Sequence, residues 1–210
     1  MTEPEKISGD NDREAAPAEA STAPDDMDTV KRILEAILFA SSEPVPLRKM
    51  RSAIGKPASE RVKDALAVLT EDYQKGSRGM EIEEVAGGFR MVTNPDYSAW
   101  VLKVRAPKRD DRVSPAALET LSIVAYKQPI PRAEVDAIRG VNSGELLRRL
   151  LERGLVKIVG KAETLGRPLL YGTTKRFLEV FGLKRLEDLP KGEWEREGAK
   201  PGPLPQASKE

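Results

Sequence analysis

From Val30 onward, apolar residues return at Ile33, Leu34, Ile37 and Leu38, the i, i+3, i+4, i+7 spacing of one stripe on a helix over residues 27–40. Pro44-Val45-Pro46 breaks that helix, a short one follows over 47–54, and Gly55 is placed to close it. Val62, Ala65, Leu66 and Leu69 give a third inward face over 59–75, which Gly76 ends. The period then drops to two. Met80-Glu81-Ile82-Glu83-Glu84-Val85, a Gly87-Gly88 turn and Phe89-Arg90-Met91-Val92-Thr93 predict a hairpin. Asn94-Pro95 offers a cap and a first-turn proline for a closing helix through Val104.

The same order recurs. Ser114-Pro115 opens helices over 115–127, 131–139 and 143–153, the third with Asn142 as cap and Glu145 three residues on, a capping-box arrangement. Strands over 155–160 and 168–173 pair, and a last helix over 174–181 ends at Gly182. An offset of 85 lays Pro44-Val45-Pro46 over Pro129-Ile130-Pro131, Gly55 over Gly140, and Val62, Ala65 and Leu66 over Leu147, Leu150 and Leu151. A repeat of that length is a domain copied whole. Three helices followed by a hairpin is the winged-helix order. The predicted fold is therefore mostly α with small β-hairpin wings: tandem winged-helix domains over 27–105 and 114–190, joined by a charged linker over 106–113. Residues 1–26 and 191–210 lack the large apolar side chains that would offset ordering entropy and are expected to be disordered tails. Trp194, alone in the second tail, is either end-of-domain packing or an anchor for a partner.

Composition narrows the chemistry. Aromatics are only 5 % of the 210 residues, so aliphatic side chains must fill both cores. The chain has no cysteine and no histidine, which removes disulfides, zinc–thiolate sites and any Ser-His-Asp triad. It also lacks a GxxxxGK loop, an Asp-rich metal motif and a GxSxG elbow. Glu83 and Glu84, neighbours in a strand, point to opposite faces and cannot converge on a substrate. The expectation is a non-enzyme without cofactors. No apolar run is long enough to span a bilayer, and the reading is of a soluble, cytoplasmic protein.

Net charge is +1, spread as −6 over residues 1–26 and +7 over 27–189. Most winged helices place the third helix in a DNA major groove. Here the first unit's third helix sums to −1 and the second's to +1, and side chains that read base edges are scarce along it. These counts argue against the alternative of a winged-helix DNA-binding transcriptional regulator, although Lys157, Lys161 and Arg167 in or near the second wing leave room for a weak DNA contact. Apolar surplus points instead to protein partners. Tyr97, Trp100, Val101, Leu102 and Val104 spread beyond one stripe of the closing helix, and Trp and Tyr are favoured interface anchors. Leu118, Leu121, Ile123, Val124 and Tyr126 are apolar on more than one side, so part of that helix must bury against something beyond the third helix.

The second half carries a longer signature. It runs Ser114-Pro115-Ala116-Ala117-Leu118-Glu119-Thr120-Leu121, then Ile123-Val124-Ala125-Tyr126-Lys127-Gln128-Pro129-Ile130, then Ile138-Arg139-Gly140-Val141-Asn142-Ser143 and Leu150-Leu151-Glu152-Arg153-Gly154-Leu155. Gly166-Arg167-Pro168-Leu169-Leu170-Tyr171-Gly172-Thr173-Thr174 and Leu186-Glu187-Asp188-Leu189-Pro190 close it, with Glu35-Ala36-Ile37-Leu38-Phe39-Ala40-Ser41 fitting in the first half. Over about residues 29–190 the chain resembles the segregation and condensation protein B family. Pro46 and Pro131 depart from it, standing where the family commonly has Ser or Thr before the second helix.

The resemblance implies a non-enzymatic accessory subunit of the bacterial SMC complex. Such a subunit dimerises through its first winged helix and binds the kleisin, segregation and condensation protein A, largely with its second, while ATP hydrolysis belongs to the SMC protein. Within that frame Ile33, Ile37, Tyr97, Trp100 and Val101 are the expected dimer contacts. Tyr126, Arg148, Arg167 and Tyr171 are the expected kleisin contacts. Leu170 and Tyr171 alternate along a strand, so one of them is expected in the core.

Overall fold

The computed structural model describes residues 26–56, 58–76, 78–105 and 113–190. The expectations for the acidic N-terminal segment, for Trp194 and its surroundings, and for most of the linker lie outside those residues.

Asp26 accepts the Thr29 amide and so caps α1 (Met27–Ala40), whose Val30, Leu34 and Leu38 vanish into the first core. α2 (Leu47–Ile54) sends Met50 and Ile54 inward. The third helix begins later than the apolar spacing predicts. Ala58–Glu60 form a 3-10 turn that tucks Ala58 under the core, and α3 runs Val62–Lys75. β1 (Met80–Val85) and β2 (Gly88–Thr93) pair antiparallel from Met80–Thr93 to Val85–Gly88.

The hairpin turn corrects the sequence reading: it is Ala86-Gly87, both at positive φ (51° and 73°), and Gly88 belongs to the strand. Steric room explains the shift. A Cβ at Gly88 would lie 2.9 Å from the carbonyl carbons of Pro44 and Val45, so that glycine serves a close backbone approach and not the bend. At the same place the Val45 amide donates to the Phe89 carbonyl (2.8 Å) and the Phe89 amide returns the bond (3.0 Å). Asn94 accepts the Asp96 amide at a 3-10 turn, Pro95–Tyr97, which leads into α4 (Ser98–Arg105).

The second unit repeats the plan. Ser114 caps α5 (Pro115–Lys127), and β3 (Ile130–Pro131) precedes α6 (Arg132–Arg139) and α7 (Gly144–Glu152). β4 (Val156–Lys161) and β5 (Leu169–Thr173) form the wing, and α8 (Lys175–Phe181) starts at the Thr174 cap and stops at a left-handed Gly182. Strand order is β3-β5-β4, with Ile130 opposite Tyr171 and an irregularity between Ile158 and Gly160. Val45 and Ile130, each held between two prolines, thus pair with the return strand of their own wing, and the repeat seen in sequence is a repeat in backbone hydrogen bonding.

Two further details depart from the sequence reading. Pro131 sits at the N-cap of α6, outside the first turn, and neither it nor Pro46 provides a side-chain cap. The capping box at α7 does not form. Glu145 turns to Arg148 (3.4 Å) and Arg149 (3.2 Å), because charged partners at i+3 and i+4 outbid a neutral amide. Buried Ser143 takes the cap position, its amide donates to Asp136 Oδ1 (2.6 Å), and Asn142 Oδ1 accepts from Gly144 (2.9 Å).

α5 is buried nearly all round, against α6, α7 and β5, with Leu121, Ile123 and Val124 in a core that also takes Phe177, Phe181, Leu183 and Leu189. Its apolar excess is therefore spent inside its own unit. The Gln128 side chain ties the end of α5 to β5: its Oε1 accepts the Thr173 amide (2.8 Å) and its Nε2 donates to Thr173 Oγ1 (2.9 Å). No helix among the described residues is long and apolar enough to cross a membrane.

Candidate partner-binding surfaces

α4 stands apart from both cores. None of its described side chains belongs to either core cluster, and its main packing partner is the 3-10 turn ahead of it. Trp100 is 63 % exposed and Val104 88 %, and the Tyr97 ring lies beside the indole with centroids 6.4 Å apart at 56°. Val101 is half-buried, as are Ile33 and Ile37, which pack on the first core from α1. Of the five expected dimer residues, Tyr97 and Trp100 are thus the outward ones, and the two isoleucines are partly spent on their own domain.

A second apolar feature lies between α1, the end of α3 and the wing. A shallow depression of about 300 Å³ is lined by Arg32, Glu35, Ala36, Phe39, Tyr73, Met80 and Met91. Phe39, 74 % exposed, forms its rim. On its polar side the Tyr73 hydroxyl donates to Glu35 Oε1, and the Arg78 guanidinium lies 4.5 Å over the Tyr73 ring and 3.9 Å from the same carboxylate. Burial pushes the Tyr73 phenol up, and the Glu35 carboxylate adds to that. The site is a greasy rim beside the Glu35–Arg78 pair and Arg32, suited to an apolar side chain. Phe39 was missed from sequence, although its place just off the Val30–Leu38 stripe marks it as an apolar residue that its own helix does not bury.

In the second unit the expected kleisin residues fall on four different elements. Tyr126, on α5, is half-buried, and its hydroxyl donates to the Pro190 carbonyl (2.9 Å); burial raises that phenol. Arg148, on α7, is held between Glu145 (3.4 Å) and Glu152 (3.8 Å). Arg167 is exposed in the wing turn at φ 43°. Tyr171, on β5, packs on the core, so it and not Leu170 is the residue tied to the interior. The wing also exposes Ile158, Val159, Leu165 and Leu169, which the sequence reading did not single out. Ile158 and Val159 are consecutive, so alternation predicts one of them inside; the irregularity between Ile158 and Gly160 leaves both facing out.

The chain matches the family model described as "Segregation and condensation complex subunit ScpB" over residues 32–192. It is 47 % identical to segregation and condensation protein B of Syntrophotalea carbinolica over 167 residues, covering 78 % of this chain and 83 % of that one. With the Geobacillus thermodenitrificans protein of the same name identity is 45 % over 170 residues, covering 80 % and 81 %. Among solved structures it is similar to ScpB from Mycobacterium tuberculosis (35 % identity, 75 % of this chain and 98 % of that one, TM-score 0.37). It is also similar to a dimer of the ScpB N-terminal domain complexed with ScpA peptide (26 % identity, 37 % and 93 %, TM-score 0.34). A family match spanning both winged-helix units, with relatives near half identical over most of their length, settles the assignment: the chain belongs to the segregation and condensation protein B (ScpB) family, non-enzymatic subunits of the segregation and condensation complex.

Proposed function

We propose that this chain works as a homodimer that grips the kleisin ScpA, and through it an SMC protein, in the cytoplasm at the nucleoid. The first unit supplies the dimer contact through Tyr97 in the 3-10 turn and Trp100 and Val101 on α4, flanked by Ile33 and Ile37 of α1. The second unit supplies kleisin contacts through Tyr126, Arg148, Arg167 and Tyr171. The observation that carries this reading is α4 with the 3-10 turn ahead of it: together they turn an indole, a phenol ring and a valine to solvent, and none of the three belongs to the core of the first unit. Free surfaces of that kind on small soluble domains are covered by partners. Linking two winged helices in one chain raises the effective concentration for the second contact once the first has formed, so modest patches suffice.

Co-purification with ScpA from the same cell, followed by light scattering, tests the proposal. Without ScpA the expected mass is twice the 23.1 kDa of one chain, with ScpA retained at stoichiometric amounts when it is added. A monomer that ignores ScpA overturns the reading.

A further inference from the structure

Of the +7 carried by residues 27–189, +4 is concentrated in residues 47–64. Arg48, Lys49 and Arg51 lie on α2, Lys56 in the turn after it and Lys63 in the first turn of α3, and all five are exposed. Among the described residues none of the five has an ion pair or side-chain hydrogen bond, whereas the arginines of α7 are bound to Glu145 and Glu152. α2 itself holds no carboxylate, and its apolar residues Met50 and Ile54 face the core. The duplicated unit provides a comparison at the same position. α6 is electrically neutral, with Arg132 on Asp136 (3.2 Å) and Arg139 on Glu119 (3.4 Å). One copy of the repeat has its second helix neutralised, and the other has it bare.

We infer that α2 and the turns flanking it form a sequence-independent contact for the phosphate backbone of duplex DNA. In a helix-turn-helix the first of the two helices crosses the backbone and the second enters the groove. α2 holds the first of those places. α3, at −1, is unsuited to the second, so phosphate contact without sequence readout is what this unit can supply. An eight-residue helix spans about 12 Å, against about one phosphate charge per 1.7 Å of duplex axis, so all three helix cations meet a dense run of charge. An anionic membrane is the weaker fit, because the outward face of α2 has no large apolar side chain to insert. The inference goes beyond kleisin binding and does not depend on it.

The test uses the full chain, fluorescence anisotropy and 30-bp duplexes of two unrelated sequences, titrated between about 50 and 200 mM salt, the range over which counterion release is steep. About four phosphate contacts give a log–log slope near −4, an affinity loss of about 100-fold across that range, equal for both sequences. Arg48→Glu/Lys49→Glu/Arg51→Glu is expected to weaken binding at least about 10-fold at the lowest salt and to flatten the slope by about 3. Lys157→Glu/Lys161→Glu on the second wing is expected to leave most of the slope in place. A triple variant with glutamine at the same positions, whose melting matches the parent, separates charge loss from misfolding. No binding at the lowest salt, unchanged binding by the triple variants, or tighter binding to phosphatidylserine vesicles than to DNA overturns the inference. So does binding that appears only once residues 1–25 are removed, which assigns the patch to that acidic segment.

Discussion

The amide of Ala86, at the tip of the first wing, donates to the carbonyl of Leu183, 2.9 Å away in the second unit. Two neighbours reinforce this contact: Arg90 Nη2 reaches the Glu179 carbonyl (3.3 Å), and Lys184 pairs with Glu84 (2.8 Å). Val85, fully buried yet outside the first core cluster, sits beside them in sequence. The two halves therefore meet through the first wing and the end of α8 with the turn after it.

The weight of those contacts is unequal, and that can be measured. Arg90 is mostly buried and also pairs with Glu83, so Arg90→Ala is expected to cost about 1–2 kcal/mol in urea unfolding. Lys184→Ala removes an exposed pair and should cost less than about 1 kcal/mol. Equal costs would mean that the contact is a surface charge effect.

Gly88→Ala forces a methyl against the Pro44 and Val45 backbone and is expected to destabilise the first unit by about 1–3 kcal/mol. Gly160→Ala, with nothing within 4 Å, serves as the control and should change stability by less than about 1 kcal/mol. A harmless Gly88→Ala would show that the strand can retreat from Val45.

Core and surface aromatics should part company. Phe177, fully buried and 4.9 Å from Phe181 between centroids, is expected to cost about 3–5 kcal/mol as alanine. Trp100→Ala should leave chain stability within about 0.5 kcal/mol while shifting the mass in light scattering from dimer toward monomer. Loss of folding in Trp100→Ala would place the indole in an intramolecular core.

Asp136 gives a pH signature at the α6–α7 turn. Burial alone lifts its carboxyl, but the Ser143 amide together with Arg132 outweighs that and holds the group below its ordinary value of 3.8. A carboxyl lowered on folding stabilises fully above its unfolded value and loses that contribution as pH falls through the folded one. Melting temperature is therefore expected to drop below about pH 4 in the parent and to drop less over the same window in Asp136→Asn, which starts lower at neutral pH. Parallel curves would remove Asp136 from the account.

Helix positions were legible because their apolar stripes are uninterrupted: the bounds of α1, α2 and α5 follow from Val30–Leu38, from Met50 and Ile54, and from the Ser114 cap. What sequence could not give was competition. Gly88 looked like a turn glycine until Pro44 and Val45 came up against it, and Glu145 looked like a capping residue until two arginines claimed its oxygens. Among the expected site residues, Trp100 and Tyr97 stand outward, while Tyr126 and Tyr171 are partly committed to their own core. The exposed cations of α2 are invisible in sums taken over a whole unit or over the third helices, because their effect depends on which of them lack a carboxylate partner in space.

The proline-flanked residues have a mechanical consequence. Each wing is riveted through its return strand to the entry of the helix behind it, by Val45 on Phe89 and by Ile130 opposite Tyr171. Neither wing is a loose flap. A load applied to a wing is therefore delivered to the root of α2 or α6 through backbone hydrogen bonds, without passing through side-chain packing.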